Sequence, residues 1–321
     1  MKLLNDTFLK RSYKPIEDVF KKINKITEEL NIVFVFGSAS KESIRNLFIN
    51  YTKKSSSKLI YITIEDLTID LKENVLQKGI KQELIKLIDL EYRVISLSYC
   101  VVIFPESPGS FAELGFFSKE LHTKQKIFAL KDYEYADDDS YVNRLIDYIH
   151  KDRNIYSSTL RFKNSDGESK KKFKKELKST KFPKILKKID KDYDSTKIFL
   201  PKSPQLLKRK DLHILPLALI HELILIYPYL RYSELKVVYQ QCLSKNFNKI
   251  PFDKDEMNYI ISLLVVSEYI KRVSIDNSYY FVNLIPNSFF EFDENIVSNY
   301  ELTKQEISLT IRMEKGIEND F

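Results

Sequence analysis

The apolar residues of this chain fall into short dense runs, set between longer stretches in which they recur at helical spacing. Runs at 31–36 (Asn-Ile-Val-Phe-Val-Phe), 59–64, 99–104 and 126–130 are β-branched and aromatic, and they read as buried strands. Ile44, Leu47, Phe48 and Tyr51 give helix 41–54 one core face, and Leu84, Leu87, Ile88 and Val94 do the same for helix 74–96. Residues 1–30 are polar and weakly helical, and Ile16, Val19, Phe20, Ile23, Ile26 and Leu30 predict a helix leading into the domain. Strand and helix therefore alternate as far as residue 131. That order predicts an α/β fold, a doubly wound parallel sheet with helices on both faces.

The punctuation between these elements locates a site. The first run leads straight into Gly37-Ser38-Ala39-Ser40, a small-residue turn of the kind that faces phosphate or ribose, although not the full Gly-x-Gly-x-x-Gly fingerprint. The second closes on Glu65 and Asp66, which read either as holders of sugar hydroxyls or as a solvated loop. The third meets Pro105 and Pro108, which cannot continue a sheet interior, and Gly109, which permits a turn. Ser110-x-x-Glu113 then reads as a capping box that opens a helix, with Phe111, Leu114 and Leu121 inward and free N–H groups facing an anion. On spacing alone Glu113 is either a cap or a reactive carboxylate. Gly37/Ser38, Glu65/Asp66 and loop 105–113 all fall at strand C-terminal ends, the edge where open α/β sheets bind ligands.

The last third changes character. Helical stretches at 213–227, 232–243 and 253–267 precede two alternating strands around Asp276-Asn277-Ser278, a winged helix-turn-helix pattern. Its third helix carries Met257, Asn258, Tyr259, Ile260 and Ile261 where a major-groove reader carries Arg or Lys, so a docking module is expected. Charge is uneven. Residues 1–150 hold 22 Lys/Arg against 22 Asp/Glu, residues 151–210 hold 20 against 7, and residues 211–321 hold 10 against 16. The surplus lies in the middle. Lys170, Lys171, Lys172, Lys174 and Lys175 are candidates to contact nucleic-acid phosphate, a solvated face being the plainer reading.

Composition narrows the class. An apolar fraction of 43% argues against wholesale disorder. Cys100, Cys242 and the four histidines match no metal spacing, so no metal is expected and the thiols read as reduced core residues of a cytoplasmic protein. The longest apolar run, 214–230, is interrupted by Pro216, His221, Glu222 and Pro228. It reads as a buried helix, with no membrane association expected, and no secretory leader is read at the N-terminus.

The stretch 104–115, Phe-Pro-Glu-Ser-Pro-Gly-Ser-Phe-Ala-Glu-Leu-Gly, resembles the loop of nucleoside 2-deoxyribosyltransferase-like proteins, in which Pro/Ser-Gly-Ser/Thr-x-x-Glu carries the catalytic glutamate. It is more closely similar to the same loop of the effector proteins of bacterial retron anti-phage systems. The acidic pair after the second strand is similar too. The resemblance implies a Rossmann-like, nucleoside deoxyribosyltransferase-like domain over 1–150, a Lys-rich connector over 151–210 and a winged-helix docking domain over 211–321. It implies Glu113 as the catalytic residue, with Gly37, Ser38, Glu65, Asp66, Glu106, Ser107, Gly109 and Ser110 around the substrate. Glu106 is the nearest counterpart of a second family acid, as Glu where the family has Asp and at a shifted spacing.

The implied chemistry is cleavage of an N-glycosidic bond, where a carboxylate beneath the ribose stabilises or traps an oxocarbenium-like centre. The retron likeness further implies a toxin that hydrolyses NAD to nicotinamide and ADP-ribose, with NAD as substrate and no bound cofactor. Its implied partners are a reverse transcriptase and branched RNA–DNA that hold it inactive, and higher-order assembly is allowed. Two other readings stay open. One is a 2-deoxyribosyltransferase or hydrolase acting on another base; the other is a non-enzymatic, nucleic-acid-associated nucleotide sensor.

Overall fold

The computed structural model describes residues 2–27, 30–71, 91, 94–119, 124, 126–132, 140–150, 159–160, 174–195, 199–201, 214–248, 250–292 and 294–317. In chain order the elements begin with α1 (Asp6–Phe20), β1 (Ile23–Thr27), β2 (Leu30–Phe36), α2 (Ile44–Thr52), β3 (Ile60–Ile62) and α3 (Ile64–Asp70). There follow β4 (Ser98–Ile103), α4 (Pro108–Phe117), β5 (Ile127–Ala129), β6 (Lys131–Asp132), α5 (Tyr141–His150), β7 (Thr159–Leu160) and α6 (Phe182–Ser195). The last elements are β8 (Phe199–Pro201), α7 (Ile214–Ile226), α8 (Tyr232–Asn246), α9 (Lys254–Val266), β9 (Ile270–Ile275), β10 (Ser278–Asn283), β11 (Phe290–Phe292) and α10 (Glu294–Lys315).

These elements form two compact units. One comprises Glu29–Thr68 and Lys78–Lys197, the other Met1–Glu28, Ile69–Gln77 and Ile198–Phe321. Neither is contiguous in sequence, unlike the segments 1–150, 151–210 and 211–321 read from composition. The first unit is built on a four-stranded parallel sheet in the order β3-β2-β4-β5. Alternation along β2 sends Val33 and Val35 to one face, where Phe48 of α2 and Phe182, Ile185 and Ile189 of α6 bury them. Phe36 points the other way and packs on Phe117 of α4 at 5.4 Å between ring centroids. Helices thus cover both faces, as expected of a doubly wound sheet. Part of the Lys-rich segment is consequently core material, because α6 lays one apolar stripe on the sheet and leaves its lysines outside.

Several boundaries differ from those the pattern predicts. Ile23 and Ile26 lie on strand β1, not on a helix, because β1 pairs antiparallel with both β8 and β11; distant partners override a weak local preference. Strand β3 ends at Ile62, so Glu65 and Asp66 sit in the first turn of α3. The loop helix is capped three residues earlier than the pattern predicts: Ser107 is the N-cap, Pro108 takes the first helical position, and the capping box joins Ser107 to Ser110. That start turns Ser110, Leu114 and Phe117 inward and leaves Phe111 42% exposed, against the expected core role for Phe111. Leu84, Leu87, Ile88 and Leu121 lie outside the described residues, and Val94 is fully buried as expected.

The second unit holds a three-stranded antiparallel sheet, β11-β1-β8, and a run of three helices, α7, α8 and α9, followed by the hairpin β9-β10. Asp276 and Asn277 carry positive φ (49° and 58°), which fits a tight two-residue hairpin turn. Glu234 braces this unit. Its buried carboxylate accepts the N–H groups of Leu4 and Arg231, each at 2.7 Å, and pairs with the Lys315 ammonium at 2.7 Å. No helix among the described residues is long and apolar enough to cross a membrane.

Phe48 is fully buried, with ring contacts to Tyr61 (5.6 Å), Phe104 (5.4 Å) and Phe182 (5.3 Å). Phe48→Ala is therefore expected to cost about 3–5 kcal/mol, seen as a lower urea midpoint for the sheet unit. Phe111→Ala on the exposed side of α4 should change it by no more than about 0.5 kcal/mol.

Candidate functional site

The strand order fixes where a crevice opens. From β2 the chain goes to β3 on one side, then crosses to β4 on the other, so the connections leaving β2 and β4 diverge at their C-terminal ends. Glu106, just past β4, reaches back across that divide. Its Oε1 accepts the N–H groups of Ser38 (3.2 Å) and Arg45 (3.1 Å), and its Oε2 accepts that of Ile44 (3.0 Å). One carboxylate thereby caps α2 and fixes the Gly37-Ser38 turn. The turn needs glycine. Gly37 has φ +153°, and a Cβ there would lie 2.9 Å from Arg45 Cβ, 3.0 Å from Glu106 Oε1 and 3.2 Å from Phe104 Cβ.

With α2 so held, Arg45 is buried, and its Nη1 donates to both oxygens of Glu65 at 2.8 and 3.0 Å. Its Nε is also buried and has no acceptor among the described residues. Asp66 is committed elsewhere: its carboxylate accepts the N–H (2.9 Å) and hydroxyl (2.8 Å) of Thr63, while the Thr63 hydroxyl accepts the Asp66 N–H. That reciprocal cap starts α3. Ser107 and Ser110 are likewise engaged with each other and with the loop amides, so the N–H groups of Glu106, Ser107 and Ser110 are not free for an anion as the loop pattern predicts. Gly109 is exposed, and the space where its Cβ would sit is open apart from Ser107 Oγ at 3.9 Å.

Glu113 lies in the second turn of α4 and takes no part in its cap. Its Oε2 is buried without a hydrogen-bond partner among the described residues. Burial, then the nearby charges of Glu91 and Glu65, push its pKa up to about 7; Arg45 opposes that shift. Glu91 is also pushed up to about 7, by burial and then by Glu65. Burial raises the pKa of Glu106 too, against the lowering effect of its three amide donors and Arg45. The site therefore gathers four acids, Glu65, Glu91, Glu106 and Glu113, and one cation, which is already paired with Glu65.

Arg45 and Glu91 are absent from the residues singled out by sequence. Arg45 lies five residues past the small-residue turn, at the second position of α2, and Glu91 stands one turn before the buried Val94, on a helix read only for its apolar face. Those two positions were the available signals. Of the basic candidates, Lys174 is half-buried and Lys175 exposed, ahead of the π-helical turn Leu177–Lys181; Lys170, Lys171 and Lys172 lie outside the described residues. Among the described residues, no three His, Cys, Asp or Glu side chains are grouped to hold a metal ion.

In comparison with known proteins, residues 41–272 match the family of the STM3845 retron effector protein. The chain belongs to the STM3845 retron effector family. The matched span includes Arg45, Glu65, Glu91, Glu106 and Glu113. A curated Escherichia coli protein, described as a candidate ribosyltransferase/DNA-binding protein of retron Ec86, is 35% identical over 57 residues. That match covers 18% of this chain and 19% of the relative.

The acid cluster makes a titration testable. In protein carrying carboxyl-13C glutamate, the Glu113 resonance is expected to titrate near pH 7, to move lower in Glu65→Gln and higher in Arg45→Met. Since folding raises this pKa, the native state holds the proton more tightly than the unfolded chain. Ionisation therefore removes stability as pH rises from the ordinary 4.5 to about 7. Glu113→Gln should flatten the pH dependence of thermal unfolding across that window; an unchanged slope would contradict the assignment.

Proposed function

We propose that the sheet unit is an N-glycosidase that releases nicotinamide from NAD, and that the chain is the toxic effector of a retron anti-phage system. The observation that carries this reading is the unpartnered buried oxygen of Glu113 beside Glu91 and the Arg45–Glu65 pair, at the crevice edge of the sheet. A carboxylate freed from capping duty can face the C1′ carbon of a ribose. Breaking the C1′–N bond sends its electron pair to the ring nitrogen, which neutralises the pyridinium, and leaves positive charge on the sugar for Glu113 to stabilise or trap. Water then supplies oxygen to C1′, and its proton passes to the coupled acids, two of which titrate near neutrality. A site with more acids than cations favours a substrate whose leaving group is cationic, which supports NAD over neutral nucleosides. The fold supports a Rossmann-like, nucleoside deoxyribosyltransferase-like assignment for this unit.

Transfer in place of hydrolysis is the second reading, favoured by the ribosyltransferase named for the E. coli relative. For the other unit we read α7, α8, α9 and the β9-β10 hairpin as a winged helix, with the bridge Leu230↔Phe281 joining the hairpin to the segment after α7. Met257 through Leu264 on its third helix are all buried, which argues against base reading by those residues; docking onto protein is the role we read for this unit. In this reading a reverse transcriptase and its branched RNA–DNA restrain the toxin, and the basic segment that includes Lys174 and Lys175 meets the nucleic-acid backbone.

Purified chain, free of inhibitory partners, should release nicotinamide from NAD with a rate that rises with pH through about 7. Glu113→Gln should lose on the order of 10²–10⁴-fold. Equal release by that variant would discard the catalytic assignment, and turnover of deoxynucleosides in place of NAD would favour the transferase. Replacing Lys174 and Lys175 by Gln should lower the salt slope of nucleic-acid binding by roughly one to two units; an unchanged slope would discard that contact.

A further inference from the structure

A second concavity lies within the sheet unit, and no step of the proposed chemistry uses it. A groove of about 660 Å³ runs between the end of α2 with its following loop and the outer side of α6. Residues 53–59 lead into the start of β3, so the groove opens at the sheet edge where strands begin, opposite the crevice that holds Glu113. Its volume is that of a small-molecule site.

The lining has a consistent chemistry. Lys54 stands on one wall and Lys187 and Lys191 on the other, all exposed, and among the described residues none is held by a carboxylate. Lys187 and Lys191 are one helical turn apart, an arrangement that repels itself unless an anion lies between them. The single acid of the groove, Asp190, already accepts the Ser57 hydroxyl at 2.7 Å, and Ser57 Oγ also accepts the Leu59 N–H at 3.2 Å. That pair ties the loop to α6 and holds the two walls at a fixed separation. At the floor, Leu186 is buried and the Tyr51 ring is half-buried, packed at 5.6 Å on Phe182. Cations on the rim above an aromatic floor suit a ligand with phosphate at one end and a ring at the other.

We propose that this groove is a second ligand site, taking a phosphorylated small molecule of nucleotide size, with phosphate on Lys54, Lys187 and Lys191 and the ring system against Tyr51. The site is independent of the glycosidase reading, since it shares no residue with the Glu113 crevice.

The test uses the full chain in a Glu113→Gln background, so that turnover at the other edge does not interfere. Pyrophosphate and AMP are titrated calorimetrically into this protein, then into versions that also carry Lys187→Gln with Lys191→Gln, or Lys54→Gln alone. Both probes should bind, AMP more tightly, and each lysine set should weaken both by at least about ten-fold. Tyr51→Leu should weaken AMP while sparing pyrophosphate. These lysines are exposed, so circular dichroism melts should match the parent, and the two lysine sets stand on different walls should one fold poorly. Affinities unchanged in both lysine sets overturn the proposal. So does the absence of binding by either probe, or binding confined to oligonucleotides with affinity that grows with length.

Discussion

The candidate site depends on one carboxylate spanning two loops. Glu106 leaves the third strand of the parallel sheet and satisfies three main-chain amides on the far side of the switch point, those of Ser38, Ile44 and Arg45. A helix start leaves such donors without intrahelical partners, and a buried charge without donors is costly, so each half of the contact resolves the other's deficit. The close approach this requires leaves no room for a side chain at Gly37. Once α2 is anchored, Arg45 and through it Glu65 have defined positions. The remaining chemistry of the crevice is arranged around that anchor.

Electrostatically, the crevice is short of positive charge. Arg45 is saturated on one side by Glu65, while burial holds Glu91 and Glu113 close to neutrality. Two acids that influence each other in this way release their protons as a pair, and the second departs against the charge left by the first. An environment of this kind stores a proton near pH 7 and responds strongly to a cation placed beside it.

The sequence made the sheet legible because its strands are dense apolar runs and its helices keep a clear face; Phe48, Leu114 and Val94 are buried where periodicity put them. It also put Gly37, Glu65 and loop 105–113 after the C-terminal ends of successive parallel strands, where the structure has them. What it missed had long-range causes. Ile23–Thr27 reads as helix until β8 and β11 arrive to pair with it. Ser110-x-x-Glu113 fits a capping box as well as Ser107 to Ser110 does, and only the position of Pro108 decides between them. Glu106 looks like a catalytic partner, yet its oxygens are occupied by amides from a region some sixty residues earlier. Arg45 and Glu91 are marked only by position, one after the small-residue turn and one before Val94, because what sets them apart is burial and neighbouring charge.

The strand Ile23–Thr27 has a further consequence. It lies between two partners, Phe199–Pro201 and Phe290–Phe292, that are far downstream of it. As the polypeptide emerges from the ribosome, this early segment must wait until residues 290–292 have been translated before both its edges are covered. Residues 29–68 and 78–197 complete their own unit well before that point. Synthesis can therefore complete the unit that carries Glu113 before the strand Ile23–Thr27 has both its partners.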